Sequence, residues 1–190
     1  MEIGARTPWG KADHVERLAE GIHRVGTPSH GGIKLDAKRN KVVPECFRKD
    51  RGWYEEDCHW AFVCLIFPEC FPVGHVESAR KVVKDYYPDA WEAWTGKAPS
   101  LEESHVLRER ADREKHKDSF IVISAFGSWR TNVPEGFVGV YARRGGRSED
   151  HRLLREERAF LVPKAEYDDP KFKCSLGFVV DPERHQSWEG

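Results

Sequence analysis

The chain has 190 residues, with 31 Lys plus Arg against 32 Asp plus Glu, 39% hydrophobic residues, 7 Trp and 10 Phe, and a mean hydropathy of -0.69. Charge this even excludes a strongly basic nucleic-acid-binding domain and an acidic DNA mimic, and the large aromatics exclude a chain disordered throughout. The longest apolar run, residues 60–67, falls short of the roughly 18 residues of a membrane span, the start at Met1-Glu2-Ile3 lacks a secretory signal, and five cysteines without a CxxC pair fit a reducing compartment, so a cytoplasmic protein is expected.

In chain order, Val15, Leu18, Ile22 and Val25 around Glu20-Gly21 predict a β-hairpin, with a short helix over 11–19 as the alternative. Thr27-Pro28-Ser29-His30-Gly31-Gly32 predicts a sharp loop, and a strand, Ile33 to Leu35, leaves it. Asp36 reads as the N-cap of a short helix over 37–42 ended by Pro44. A buried helix is expected over 55–67, capped by Asp50 or Gly52. Glu55, Glu56 and Asp57 would sit in its first turn, and Trp60, Ala61, Cys64, Leu65 and Phe67 would face the core. An amphipathic helix over 75–87 follows, then a short one after Pro88-Asp89 carrying Trp91 and Trp94, then one over 100–116 with the capping-box pattern Ser100/Glu103.

From Ser119 the period becomes that of strands, at 119–126, 136–142, 158–162 and 176–180, separated by turn chemistry at Asn132 to Gly136, Gly145-Gly146 and Asp168-Asp169-Pro170. The predicted architecture is one α+β domain over 1–190. It comprises an N-terminal β-hairpin and His-Gly-Gly loop (1–50), central helices (51–118) and a C-terminal antiparallel sheet (119–190) packed on the 55–67 helix.

Two segments carry candidate chemistry. His30 lies between a proline turn and Gly31-Gly32, where glycines let a ligand or another backbone approach closely; the plainer reading is a tight turn whose His bonds a carbonyl. In Trp53-Tyr54-Glu55-Glu56-Asp57-Cys58-His59-Trp60, three acids beside a Cys and a His are candidates for a metal site or for general acid work with His30. The plainer reading is dipole stabilisation of a helix start, and successive helical residues point about 100° apart, so all three acids cannot converge. Cys58 is the candidate nucleophile, although the preceding acids disfavour its thiolate.

Cys64, Cys70 and His75 miss zinc-ligand spacing and read as core, and His14, His23 and His30 make only a weak zinc idea. Gly31, Gly32 and Trp53 are candidate binding residues, as are Arg143, Arg144 and Arg147 in the Arg-rich stretch 143–158. A solvated hairpin turn explains that stretch equally well, so nucleic acid has weaker support than protein as a partner. No Walker loop, GxGxxG, HExxH, GxSxG or EF-hand pattern occurs, so no cofactor is predicted and a divalent metal is the one such ligand the acids could take.

Thr7-Pro8-Trp9-Gly10, Gly21-Ile22, Ser29-His30-Gly31-Gly32 and Trp53 to Cys58 with Trp60-Ala61 resemble an uncharacterised domain family of bacterial plasmids, prophages and phages. Asn132 to Gly136 and Asp181-Pro182-Glu183-Arg184-His185 resemble its C-terminal half, so the resemblance spans nearly the whole chain. It implies a mobile-element accessory protein in the bacterial cytoplasm and no mechanism. The leading expectation is a non-enzymatic protein that binds and inhibits a host protein or nucleoprotein complex, such as a defence system. The competing one is a small hydrolase or nucleic-acid-modifying enzyme using His30 with Glu55, Glu56 or Asp57. A surface patch of Trp91, Trp94 and Trp129 would favour binding.

Overall fold

The computed structural model describes residues 1–130, 132–147 and 155–189. Two compact units, Met1–Val106 and Leu107–Gly190, make up the chain, and each is taken by itself.

In the first unit a small ribbon, β1 (Arg6–Thr7) and β2 (Gly10–Lys11), precedes the predicted hairpin. That hairpin is β3 (His14–Ala19) and β4 (Ile22–Gly26), turning at Gly21, whose φ of 76° suits a residue without a Cβ. β5 (Gly31–Leu35) adds antiparallel to β4. Asp36 then caps α1 (Ala37–Val42), its carboxylate accepting from the Arg39 N–H at 2.7 Å.

The helix expected from residue 55 begins later. Residues Trp53–Glu55 form a strand, β6, paired with Gly32 to Lys34 of β5, which completes a sheet of order β3-β4-β5-β6. Tyr54 explains the difference. Its ring is fully buried, and its hydroxyl donates to Asn40 Oδ1 at 2.7 Å and accepts from the Lys49 N–H at 3.3 Å. Helical backbone here would forfeit both the ladder and this burial.

The helix itself, α2 (Trp60–Ile66), buries Ala61 to Leu65. It packs on β5, on β6 and on α3 (His75–Tyr86). Phe62 stacks on Phe47 at 4.7 Å and meets Tyr87 at 4.9 Å. After α3 comes α4 (Pro88–Thr95), which turns Trp91 inward. The apolar face of α2, expected to meet the C-terminal sheet, is thus filled by elements of its own unit.

Ser100 and Glu103 do exchange the reciprocal capping bonds, at 3.1 and 3.3 Å, but around a turn. The helix that follows, α5 (His105–Lys115), opens only where the Asp85 carboxylate takes the His105 N–H at 2.5 Å.

The second unit carries the predicted strands with ends shifted by no more than two residues: β7 (Phe120–Phe126), β8 (Phe137–Arg144) and β9 (Glu157–Pro163). A short helix, α6 (Lys164–Asp168), precedes β10 (Lys173–Cys174), β11 (Gly177–Val180) and β12 (Gln186–Ser187). The sheet is antiparallel, ordered β10-β11-β7-β8-β9-β12. Phe120, Val140, Ala142, Phe160, Val162, Phe178 and Val180 form its own core. No helix among the described residues is long and apolar enough to cross a membrane.

Candidate functional site

Strand alternation places Ile22, Arg24 and Gly26 of β4 on one face with Leu35, Ile33 and Gly31 of β5. The register pairs them in that order, and His14 of β3 lies across from Gly26. At the Ile22 end this face is filled core. At the glycine end a cleft of about 420 Å³ opens, a size usual for ligand sites. His14, Arg24, Gly26, Ile33 and Glu56 line it on the sheet side, and Trp60, Phe71 and His75 on the helix side.

The glycines here have different reasons to be glycine. At Gly32 a Cβ would collide with the Tyr54 carbonyl and the Trp9 ring, and at Gly31 with the Glu56 carboxylate and the Val25 carbonyl. Both permit close approach that any side chain would block. Gly26 is unlike them. A Cβ there would meet only His14 Cβ at 3.4 Å and Asp13 Oδ1 at 3.6 Å, ordinary contacts, and its φ is not positive. Neither backbone geometry nor packing requires a bare floor at this point.

Around that floor, Trp60 faces Phe71 at 6.3 Å and meets His75 edge-on at 6.0 Å. Arg24 is held by Glu16 at 2.8 Å. Glu56 Oε1 accepts the Gly31 N–H at 2.7 Å, and the Glu56 N–H returns a bond to the Gly31 carbonyl at 3.1 Å, so the carboxylate is tethered to the end of β5.

The other candidates have structural partners. The His30 ring is exposed and its Nδ1 lies against the carbonyl of Ser29, inside a loop closed by Thr27 Oγ1 donating to the His30 carbonyl at 2.7 Å. This is the plainer of its two readings. Glu55 accepts from the N–H groups of Asp57 and Cys58. Burial raises its pKa, but those two bonds, together with a side-chain bond to Asp57 and the charge of His59, outweigh burial and hold the carboxyl below its ordinary range. The Cys58 thiol is pushed up, first by burial and then by the charges of Glu55 and Asp57, against a lowering bond with Tyr87. Burial likewise lifts Tyr87 to about 12. A thiol so placed is a poor nucleophile.

Among the described residues no hydrogen bond or ion pair joins the His30 ring to Glu55, Glu56 or Asp57, and no group of three His, Cys, Asp or Glu side chains is placed to hold a metal ion. His14 and His23 point to opposite faces of the hairpin, because they pair with Gly26 and Arg17 in alternating register. Cys64 is core as expected, its thiol raised to about 11 by burial, whereas His75, also expected in the core, is exposed on the cleft wall.

Trp53 packs edge-on against Trp9 at 5.6 Å. Arg143 pairs with Glu157 at 2.9 Å, Arg144 with Glu156 at 2.6 Å, and Arg147 donates to the Ile123 carbonyl at 2.5 Å. The rest of that Arg-rich turn, residues 148–154, lies outside the described residues. Trp91 is buried and packs against half-buried Trp94 at 5.7 Å, while Trp129 is 78% exposed in the second unit. The three do not share one exposed patch.

Of the cleft, sequence reasoning named Glu56 and Gly32, together with Gly31 that holds Glu56, and His14 only as a weak zinc ligand, but missed Arg24, Gly26 and Phe71 and took Trp60 and His75 for core. One signal was present: an isolated glycine inside a strand pattern marks close backbone approach or a bulge.

No curated protein and no solved structure matches the chain. A family model does match residues 2–117, which contain the cleft and end before Asn132 to Gly136 and Asp181 to His185. The chain therefore belongs to DUF7007, a domain family of unknown function.

Proposed function

We propose that this is a phage or plasmid accessory protein that binds and inhibits a host macromolecular complex, such as a defence system, in the bacterial cytoplasm, and that the glycine-floored cleft of its first unit is the docking point. The observation that carries this reading is Gly26. It leaves a floor bare between aromatic walls where neither φ nor packing calls for glycine. Space kept open beside Trp60 and Phe71 suits an inserted partner group, since buried aromatic anchors dominate interface energetics.

The polar groups agree with binding more than with reaction. Glu55 and Glu56 serve backbone N–H groups and His30 serves a backbone carbonyl, so these three candidates are not held ready for one another. Arg143 and Arg144 are paired with glutamates, which favours a protein contact over a phosphate-binding one.

The test is co-purification from a lysate of the host bacterium, using the full chain and its Gly26→Leu variant. The wild type is expected to recover a specific protein or nucleoprotein, and the variant at least about tenfold less of it, a difference of about 1.4 kcal/mol, with unchanged thermal unfolding. Recovery of no specific partner, or equal recovery by both, would overturn the proposal.

A further inference from the structure

We propose that the group this cleft takes is the guanidinium of a partner's arginine side chain, an inference that rests on the binding reading above. Charge is the first argument. Arg24 at the rim is neutralised by Glu16 at 2.8 Å, whereas among the described residues no ion pair neutralises Glu56. The cleft thus presents one uncompensated carboxylate.

That carboxylate is also oriented. The Gly31 N–H holds Oε1 at 2.7 Å, which fixes the rotamer and leaves Oε2 and further lone pairs to accept. Beside Arg24, His14 and His75, the site it faces is lined by groups a guanidinium tolerates: the buried Ile33, the bare backbone of Gly26, and the rings of Trp60 and Phe71. A planar, weakly hydrated guanidinium stacks on an aromatic face and pairs with a carboxylate through parallel N–H donors. A lysine ammonium is a strongly hydrated point charge and does the first poorly. The imidazoles of His14 and His75 stand on the same walls.

Gly26 gains its meaning from this ligand, because a flat floor admits a flat group. Recognition of this kind also gives a partner-specific contact without a large groove, as one desolvated charge pair against a ring is a common centre of an interface.

The experiment is a nuclear magnetic resonance titration of the whole chain with N-acetyl-arginine methylamide, beside the isosteric but uncharged citrulline analogue and the lysine analogue. The arginine probe is expected to shift the Trp60 indole and the amides of Gly26 and Gly31 with millimolar affinity, and the other two to bind at least about tenfold more weakly. Glu56→Gln keeps an oxygen for the Gly31 N–H but removes the charge, and should lose the arginine response by a similar factor while the rest of the spectrum stays in place. No shift at the cleft, equal binding of citrulline, or an unaffected Glu56→Gln variant would overturn the proposal.

Co-purification separates the two readings. Loss of the partner in Gly26→Leu but not in Glu56→Gln rejects the arginine and leaves the docking point standing. Retention of the partner in Gly26→Leu rejects both.

Discussion

At one end of the first unit's sheet Ile22 and Leu35 sit opposite each other with 0% exposure. Four residues along the same two strands, about 13 Å away at ordinary strand rise, Gly26 sits opposite Gly31 and the side chains stop. Both ends share strands, register and face, yet one is packed against α2 and the other opens into a cleft. The contrast shows that the open end is not forced by the fold. A Cβ at Gly26 fits the same ladder in ordinary contact with its neighbours, and its absence forgoes burial that would have stabilised the unit.

The comparison breaks most visibly at the filled end. Ile22→Ala or Leu35→Ala should cost about 2–5 kcal/mol in denaturant unfolding, through lost burial and a residual cavity; a loss below about 1 kcal/mol would mean the two ends are not so different. Next in size, Gly31→Ala should cost about 1–3 kcal/mol, because its Cβ displaces the Glu56 carboxylate and presses on the Val25 carbonyl. Gly26→Ala should be neutral or stabilising by up to about 1 kcal/mol, since strand glycine carries an entropic cost. Equal destabilisation by the two glycine variants would remove the argument that Gly26 is kept for a ligand.

Asp36→Ala, just beyond the filled end, should cost about 1 kcal/mol by loss of the α1 cap, again read by denaturant midpoint. A smaller effect belongs to Glu55, beside the open end. Its carboxyl sits below the ordinary 4.5 in the folded chain, so it adds stability that is fully present above 4.5 and disappears as pH falls through the lower folded value. Glu55→Gln should flatten that limb of the stability curve, removing the increment at neutral pH and leaving stability in acid, where the wild-type carboxyl is itself protonated, nearly unchanged. Finally, the raised Cys58 thiol should react with iodoacetamide at pH 8 more slowly than a free cysteine peptide, and labelling at the peptide's rate would contradict the geometry.

Local pattern made much of the fold legible. The Glu20-Gly21 hairpin, the Asp36 cap and the strands at 120, 137, 157 and 177 follow from periodicity and turn chemistry that lie within each segment. The start of α2 was misread because Glu55, Glu56 and Asp57 before an apolar run imitate a helix's first turn. What decided otherwise, pairing of Trp53 to Glu55 with Gly32 to Lys34, lies about twenty residues upstream.

The candidate site was harder for the same reason. Glu56 and Gly31 stood out singly, but their bond, and the meeting of His14 with Gly26, exist only once register is set. Trp60 read as core because its spacing matched a buried helix face, and His75 because it missed zinc-ligand spacing; only tertiary placement leaves them on a wall. In the Arg-rich stretch, which reads equally well as a solvated turn, it is the β8–β9 register that sets Arg143 across from Glu157.

In the second unit, the three-stranded meander β7-β8-β9 acquires both of its edges from strands that follow it in the chain, β11 beside β7 and β12 beside β9. A ribosome delivering roughly 5–20 residues per second therefore presents the meander with two unpaired rows of N–H and C=O groups until residues 177–187 emerge. For those seconds the nascent chain is a template for strands of other chains. Escape from that hazard depends on two closures over long sequence separation, the slowest kind of contact a small sheet makes.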